Sequence, residues 1–332
     1  MRKQPHKTRT YFHHHMDSTR WEVYAPRPDD IIITTSYKSG TTLTQQLLYN
    51  MLVRDTSADA FAPAVDAFSP WIDSRFYRVP KDELAAYIDA LPHRRFLKSH
   101  LPFDGLPYYP QVKYLIVARD PRDVFMSLLN HYGAYSASQY ARLDADAPQP
   151  MPRFDGDAKA LWRNWISRGW FDWEEEGWPF WSNMYHTKTY WDFRELPNFL
   201  FLHYAELRRD LEGAIRRIGD FIEHELTRAD VDRIARAVSF EKESRRQSLN
   251  LRRWVMMAAS RAVRQRSSTK PVMAAGMTSW MSRIWPFTGR SATGCCRPTV
   301  LPGSSSPRGL PFVSVSDSAI VADLVFLAVE DR

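Results

Sequence analysis

One segment near the start of the chain, residues 31–52, restricts the possible folds more than any other. It opens with a continuous run of β-branched, largely apolar residues at positions 31–35 (Ile-Ile-Ile-Thr-Thr). A continuous run of this length, unlike an alternating one, is typical of a central parallel strand that is covered on both faces. A loop rich in Ser, Gly and Thr (residues 36–42) follows, and then come apolar residues at helical spacing: Leu43, Leu47, Leu48, Met51 and Leu52. A strand, a loop and a helix in this order direct backbone N–H groups and a helix N-terminus at a bound anion.

Three further segments have the length and composition of buried strands. They are residues 95–98, 112–118 and 199–204. Asp120 and Pro121 favour the start of a helix after the second of these strands, and a helix is predicted over residues 205–222 after the third. Strands that alternate with helices predict the α/β class, as a single doubly wound domain around a central, mostly parallel sheet.

Size and composition exclude several classes of protein. The chain has 332 residues, which is enough for one large α/β core. Its two cysteines are adjacent, so a disulfide framework and a four-cysteine zinc site are excluded. No run approaches the roughly 20 apolar residues of a membrane span. No apolar run follows the first residues either, so we expect no secretory signal, no membrane partner and a cytoplasmic location.

The net charge of +7 is distributed unevenly along the chain. The segment 245–308 contains 12 Lys and Arg but no Asp or Glu, so the rest of the chain carries a net negative charge. A basic tail that binds nucleic acid usually alternates its charges with Gly or aromatic residues, whereas this one is rich in Met, Trp, Ser and Pro. We therefore predict a divergent, partly disordered basic segment over residues 241–332 and no nucleic-acid partner, with nucleic-acid binding through the tail as an alternative.

Two anion-binding sites are predicted at neighbouring strand ends. In the first, Lys38 supplies charge, Gly40 allows close backbone approach and two threonines supply hydroxyl groups. The lysine lies two residues before the glycine, so this loop is not the Walker A loop of nucleotide triphosphatases. In the second, Arg119 ends a strand and Ser127 follows just over two helical turns later, so a guanidinium and a hydroxyl face one phosphate. An ion pair of Arg119 with a nearby aspartate is the structural alternative.

Histidines occur at two places that could carry chemistry. His100 follows a strand end, two residues after Lys98, so it is either a structural residue or a general base that works near neutral pH. Residues 13–15 are three consecutive histidines, but no cysteine or carboxylate set lies near them, so we predict no metal. They fall in a predicted flexible, solvated leader, residues 1–20, or alternatively in a flexible arm over the active site. The region from about 131 to 195 holds seven tryptophans, which either fill the core or line an acceptor pocket.

Taken together, these blocks resemble the cytosolic sulfotransferases that use 3′-phosphoadenylyl sulfate (PAPS). The resemblance covers about residues 20–240, and four blocks occur in the family's order. They are residues 37–42 (Tyr-Lys-Ser-Gly-Thr-Thr), 98–102 (Lys-Ser-His-Leu-Pro), 119–127 (Arg-Asp-Pro-Arg-Asp-Val through Ser127) and 202–207 (Leu-His-Tyr-Ala-Glu-Leu).

The resemblance implies a domain over residues 21–240 that moves a sulfuryl group from PAPS to a small phenol, alcohol or amine, without a metal. His100 would be the general base, and Lys38 and Lys98 would neutralise charge on the moving and leaving groups. The implied donor-binding residues are Lys38, Ser39, Gly40, Thr41 and Thr42 for the 5′ end, Arg119 and Ser127 for the 3′-phosphate, and Tyr204 and Phe240 for the rest of the nucleotide.

The chain departs from the family's pattern in two places. Leu43 stands where the family usually has Trp, and the late Lys-Gly-x-x-Gly-x-Trp loop that closes over the 3′-phosphate is absent. Met and Trp each have a single codon, so a part of the coding sequence after about Thr269 follows from the protein sequence. These codons allow a second reading frame to encode a sequence similar to the missing loop. We therefore hypothesise that translation leaves the reading frame that encodes the family's sequence between about residues 240 and 254. Alternative functions are a catalytically impaired nucleotide-binding homologue and a nucleotide or small-molecule kinase.

Overall fold

Four parallel strands form the centre of the fold, and the order across the sheet is β2-β1-β3-β4. The computed structural model describes residues 5–54, 65–76 and 79–239. The strands are β1 (Ile31–Thr35), β2 (Phe96–Ser99), β3 (Lys113–Ala118) and β4 (Phe199–His203). The predicted α/β class with a central parallel sheet is confirmed. Phe240 and the predicted C-terminal segment lie outside the described residues.

Helices follow β1, β3 and β4 and pack against the sheet, whereas β2 leads to β3 through residues 100–112 with no helix between them. The helices are α1 (Thr41–Leu52), α2 (Lys81–Asp89), α3 (Pro121–Tyr132), α4 (Ala137–Asp144), α5 (Ala158–Ser167), α6 (Met184–Trp191), α7 (Tyr204–Arg209), α8 (Leu211–Phe221) and α9, which begins at residue 228 and continues to residue 239. Short 3₁₀ helices occupy Ser18–Val23 and Val65–Ala67. Within the described ranges, no helix combines the length and apolar character needed to cross a membrane.

The helix predicted over residues 205–222 is two helices, because Asp210 interrupts it. Its backbone leaves the helical region, with φ −132° and ψ 77°. Its carboxylate accepts a hydrogen bond of 2.8 Å from the Gly213 N–H and so caps the start of α8. An aspartate favours this capping role over a place inside a helix, since its side chain competes for backbone N–H groups.

Each strand contributes alternate residues to two hydrophobic cores, one on each face of the sheet. Ile31 and Ile33 of β1 pack with apolar residues of α1, α8 and α9, whereas Ile32 packs with the aromatic-rich region on the opposite face. All five residues of β1 are buried. This burial explains why the strand consists of β-branched, largely apolar residues and shows no alternation of apolar and charged side chains.

The N-terminal residues differ from the predicted flexible leader, because residues 11–20 are largely buried. Tyr11 is fully buried, donates a hydrogen bond of 2.8 Å to Asp104 and contacts the edges of the Phe171 and Trp173 rings. The side chain of Asp17 caps the 3₁₀ helix that follows by accepting from the Thr19 N–H. The prediction of a solvated leader is therefore wrong for residues 11–20, since aromatic residues far along the chain form the surface on which this segment packs.

Candidate active site

The loop between β1 and α1 forms a cradle at the carboxyl edge of the sheet. Lys38 and Gly40 both have left-handed backbone conformations, with φ of 57° and 112°. Gly40 is the residue before α1 and has no side chain to cap the first N–H groups of that helix. A Cβ atom at this position would lie 2.6 Å from the Tyr204 ring, so only glycine fits here. The amino end of α1 and its backbone N–H groups therefore border a surface that suits an anion.

Arg119 connects this cradle to the next strand end. Its Nη1 donates a hydrogen bond of 2.9 Å to the Lys38 carbonyl, and its guanidinium lies 4.4 Å from the centre of the Tyr204 ring. The predicted helix start after β3 is confirmed, since Asp120 caps α3 and Pro121 is the first helical residue. Asp120 pairs with Arg122 at 2.6 Å, whereas the Arg119 Nε lies 3.9 Å from Asp123. The Arg119 guanidinium is therefore held beside the loop rather than by a close carboxylate.

His100 is buried at the end of β2, and its tautomer follows from its contacts. The Thr35 carbonyl lies 2.7 Å from Nδ1 and can only accept a hydrogen bond, so Nδ1 carries the proton. The Nε2 atom then has a free electron pair whenever the ring is neutral. Burial first, and then the charge of Lys98, hold the pKa of His100 well below its usual value. The ring is therefore neutral at pH 7, and its Nε2 atom is a base.

A network behind His100 fixes the strand end. Asp73 accepts hydrogen bonds from the Trp71 indole at 2.8 Å and from the His100 backbone N–H at 3.1 Å. The Trp71 ring contacts His100 on its edge, and the Lys98 ammonium lies 4.6 Å from the centre of the same ring. Trp71 and Asp73 therefore hold Lys98 and His100 side by side.

Nearly all of the predicted site residues line one cavity. Its empty volume is about 1160 Å³, which includes its opening to solvent. The predicted residues that line it are Lys38, Gly40, Thr41, Thr42, Lys98, His100, Arg119, Ser127 and Tyr204. Ser39 is buried outside the lining and donates a hydrogen bond to the Tyr37 carbonyl, and Phe240 lies outside the described residues. Within the described ranges the lining contains no Asp or Glu, so the cavity is cationic.

The cavity also contains residues that the sequence analysis did not assign to a site. They are His15, Tyr37, Leu43, Trp71, Phe76, Leu128, His131, Tyr135, Gln139, Arg142, Leu143, Phe180 and Trp181. Several belong to the aromatic-rich region, for which core packing and pocket lining were both open. Trp181 does both, because it is buried and also lines the cavity, whereas Trp165 is fully buried outside the lining. For His15, the run of three histidines was the one feature of the sequence that could have indicated a place in the site.

Comparison with known proteins supplies the family. A sequence profile described as "Sulfotransferase domain" matches residues 28–279. The chain belongs to the sulfotransferase domain family. The match extends past residue 245, into the segment for which the sequence predicts a departure from the family, so that departure stays a prediction.

Relatives within the sulfotransferase family include proteins from bacteria and animals. A glycolipid sulfotransferase of Mycobacterium bovis is 33% identical over 222 residues, which are 61% of this chain and 65% of that protein. The chain thus spans slightly less than two thirds of that relative's length. Sulfotransferase 1C2 of Rattus norvegicus is 27% identical over 224 residues, covering 67% of this chain and 68% of the relative. A crystal structure of retinol dehydratase in a complex with retinol and PAP matches with a TM-score of 0.50 and 25% identity, over 68% of each chain.

Proposed function

We propose that this protein transfers a sulfuryl group from PAPS to a hydroxyl or amine group of a small acceptor. The observation that carries the proposal is the shared cavity, in which the unprotonated Nε2 atom of a buried histidine and a cationic phosphate cradle meet. Membership of the sulfotransferase domain family supports the reaction, and the relative that binds PAP supports the donor. The resemblance to cytosolic sulfotransferases supports a cytoplasmic location.

The cradle suits the PAPS donor in charge and shape. Lys38, with the backbone N–H groups after Gly40, would bind the 5′-phosphosulfate, because ammonium and amide donors stabilise anionic oxygens. Arg119 and Ser127 would hold the 3′-phosphate with a guanidinium and a hydroxyl. Tyr204 packs against both Gly40 and Arg119 and so keeps the two sites in register.

His100 would take the proton of the acceptor while the acceptor oxygen or nitrogen bonds to sulfur. The bond between sulfur and the bridging oxygen breaks in the same step, and PAP leaves with that oxygen. When bound, PAPS supplies the activated sulfuryl group. Lys38 and Lys98 line the same cavity and would stabilise the negative charge that grows on the bridging and sulfuryl oxygens, since fixed charges stabilise a transition state strongly. No covalent enzyme intermediate is needed.

The composition of the cavity wall favours sulfuryl transfer over the kinase alternative. Kinases hold Mg²⁺ through carboxylates and substrate phosphates. Among the described residues, no carboxylate lines the cavity. The proposed acceptor is a phenol, an alcohol or an amine. Among these, the glycolipid sulfotransferase among the relatives supports an alcohol, because the sugar of a glycolipid offers alcohol groups.

The second candidate function is nucleotide binding with impaired transfer, because the closing loop of the family is absent from the sequence. The experiment that separates the two is a PAP titration combined with a sulfate-transfer assay on 4-nitrophenol and cyclohexanol. The chain as written is compared with a chain in which residues after 245 are replaced by the alternate-frame translation. We expect both chains to bind PAP, and the second to bind it more tightly and to transfer faster. Failure of both chains to bind PAP would refute the proposed function.

On the acid side of the pH profile, kcat/KM should begin to fall only at a pH below the ordinary pKa of histidine. Protonation of the His100 Nε2 atom stops proton uptake, so a depressed pKa keeps the enzyme active to lower pH. We expect kcat/KM to stay constant from pH 8 to about pH 6, below the ordinary value of about 6.5. Replacing Lys98 by Met removes a neighbouring positive charge, so the pKa should rise and the acid limb should move to higher pH.

The matched control is Lys159→Met, at an exposed lysine of α5. That variant should leave the position of the acid limb unchanged. The measurement is the pH profile of kcat/KM for each protein. An acid limb centred near 6.5 in the original chain would contradict the role of burial at His100.

A further inference from the structure

Two threonine hydroxyl groups lie between His100 and the phosphate cradle. The Thr35 Oγ1 atom is 2.6 Å from the Thr41 Oγ1 atom and 3.3 Å from His100 Nδ1. Thr35 ends β1 and is fully buried, whereas Thr41 begins α1 and lines the same cavity as His100. The side chain of Thr35 therefore joins the proposed base to the amino end of the helix that borders the cradle.

The fold brings these three groups together at the carboxyl edge of the sheet. The strands β1 and β2 are parallel neighbours, so their carboxyl ends lie side by side. Thr35 is the last residue of β1, and His100 follows the last residue of β2. The loop after β1 turns back through the left-handed residues Lys38 and Gly40, which brings Thr41 to Thr35 six positions later.

The His100 ring is the donor in its contact with Thr35. Its Nδ1 atom carries the proton, because the Thr35 carbonyl lies 2.7 Å away and can only accept. The Thr35 hydroxyl oxygen lies 3.3 Å from the same nitrogen, so it is a second and weaker acceptor. A positive charge on the ring would strengthen both hydrogen bonds, since charged donors form the stronger ones.

The direction of the hydrogen bond between the two threonines depends on what Thr41 faces. Either hydroxyl group can be the donor in this contact. A phosphosulfate oxygen is anionic and can only accept, so Thr41 would donate its proton to such a ligand. Thr35 then donates to Thr41, and the lone pairs of the Thr35 oxygen are left for the Nδ1 proton of His100. A bound donor molecule would therefore select one direction for the whole chain of hydrogen bonds.

We infer that Thr35 is a positioning residue that couples His100 to the bound PAPS donor. The chain runs from His100 Nδ1 to Thr35, then to Thr41 and then to the phosphosulfate. During transfer, Nε2 takes the proton of the acceptor and the ring becomes positive, while the leaving phosphate becomes more negative. Both changes strengthen hydrogen bonds that run in this direction, since linked hydrogen bonds polarise one another. No proton moves along the chain. This inference rests on the proposed function, because it concerns the same site.

A purely structural role of the Thr35 hydroxyl is the alternative, and Thr34 supplies the matched control. Thr34 precedes Thr35 in β1, is equally buried and also contacts a histidine, since its hydroxyl lies 3.2 Å from His186 Nε2. Among the described residues, the cavity lining includes neither Thr34 nor His186. Valine has nearly the shape of threonine without the hydroxyl group. Thr35→Val and Thr34→Val therefore each remove one buried hydroxyl from the same strand.

The first measurement is the Nδ1–H resonance of His100 in ¹H–¹⁵N NMR spectra, assigned by its loss in His100→Ala. Spectra are recorded without and with PAP, which presents a 5′-phosphate to the cradle. We expect PAP to shift this resonance downfield in the original chain and in Thr34→Val. The shift should fall by more than half in Thr35→Val, and Thr35→Ser, which restores a hydroxyl group, should recover it.

The second measurement is single-turnover transfer to 4-nitrophenol at saturating PAPS. Thr35→Val should slow transfer by about threefold to tenfold, the contribution of one neutral hydrogen bond, and should change the KM for PAPS less. Thr34→Val and Thr35→Ser should keep the original rate. Thr35→Ala, which also lacks the hydroxyl group, replaces Thr35→Val if the valine variant does not fold.

Three results would overturn the coupling. They are the absence of a PAP-induced shift in the original chain, an equal shift in Thr35→Val, and equal slowing by Thr34→Val and Thr35→Val. If the shift depends on Thr35 but no acceptor is sulfated by any of the proteins, the proposed function fails and the coupling stands. Transfer without a shift that depends on Thr35 overturns the coupling alone.

Discussion

Replacing His100 by Ala should reduce the rate of sulfuryl transfer by about 10²- to 10⁴-fold, which is the usual contribution of a general base. The Nδ1 proton is bonded to the Thr35 carbonyl, so the Nε2 atom is the basic group that the ring presents. Binding of PAP should change little, because Lys38 and Arg119, the proposed donor-binding residues, lie at other strand ends. The measurements are single-turnover transfer and a PAP titration on the same preparation.

His186→Ala is the matched control for this experiment. His186 is as deeply buried as His100, and burial lowers its pKa in the same direction. Its Nε2 atom bonds the Thr34 hydroxyl at 3.2 Å, and the ring does not line the cavity. We expect this variant to lose stability but to keep transfer. Equal turnover of a folded His100→Ala protein and the original chain would show that another group takes the proton.

Replacing Arg119 by Ala should weaken PAP binding by about tenfold to 150-fold, since a hydrogen bond to a charged group contributes about 1.5–3 kcal/mol. Adenosine 5′-phosphate, which lacks the 3′-phosphate, should be affected much less. The Arg119 guanidinium also donates to the Lys38 carbonyl, so a part of the loss comes from a looser loop and applies to both ligands. The ratio of the two dissociation constants isolates the contribution of the 3′-phosphate.

Two further variants sharpen this comparison. Ser127→Ala should also weaken PAP more than adenosine 5′-phosphate, but by a smaller factor than Arg119→Ala, because a neutral hydroxyl contributes less than a guanidinium. Arg122→Ala is the control, since its side chain is exposed and pairs with Asp120 at the start of α3. The ratio should stay unchanged in that variant. If Arg119→Ala weakens both nucleotides by the same factor, Arg119 supports the loop and does not recognise the 3′-phosphate.

The strands and the cradle could be predicted because their signals are local. A parallel strand that is covered on both faces is largely apolar along its length, and residues 31–35 and 114–118 show this pattern within a few neighbours in sequence. The carboxyl ends of parallel strands meet at one edge, so Lys38, His100, Arg119 and Tyr204 could be placed together before any contact was known. The fold class is confirmed, and the cavity brings these residues together, while their individual roles stay predictions.

The sequence alone thus determined the α/β class, the strand, loop and helix of residues 31–52, and the family, because each depends on short segments whose spacing is visible along the chain. Only the tertiary structure decided the position of residues 11–20, the exclusion of Ser39 from the cavity wall and the long-range hydrogen bonds of His14 and His15. His15 meets Tyr135 across 120 residues, and His14 meets Pro179 across 165. Contacts of that kind depend on how segments that are distant in sequence pack together, so they cannot be predicted from a local pattern of residues.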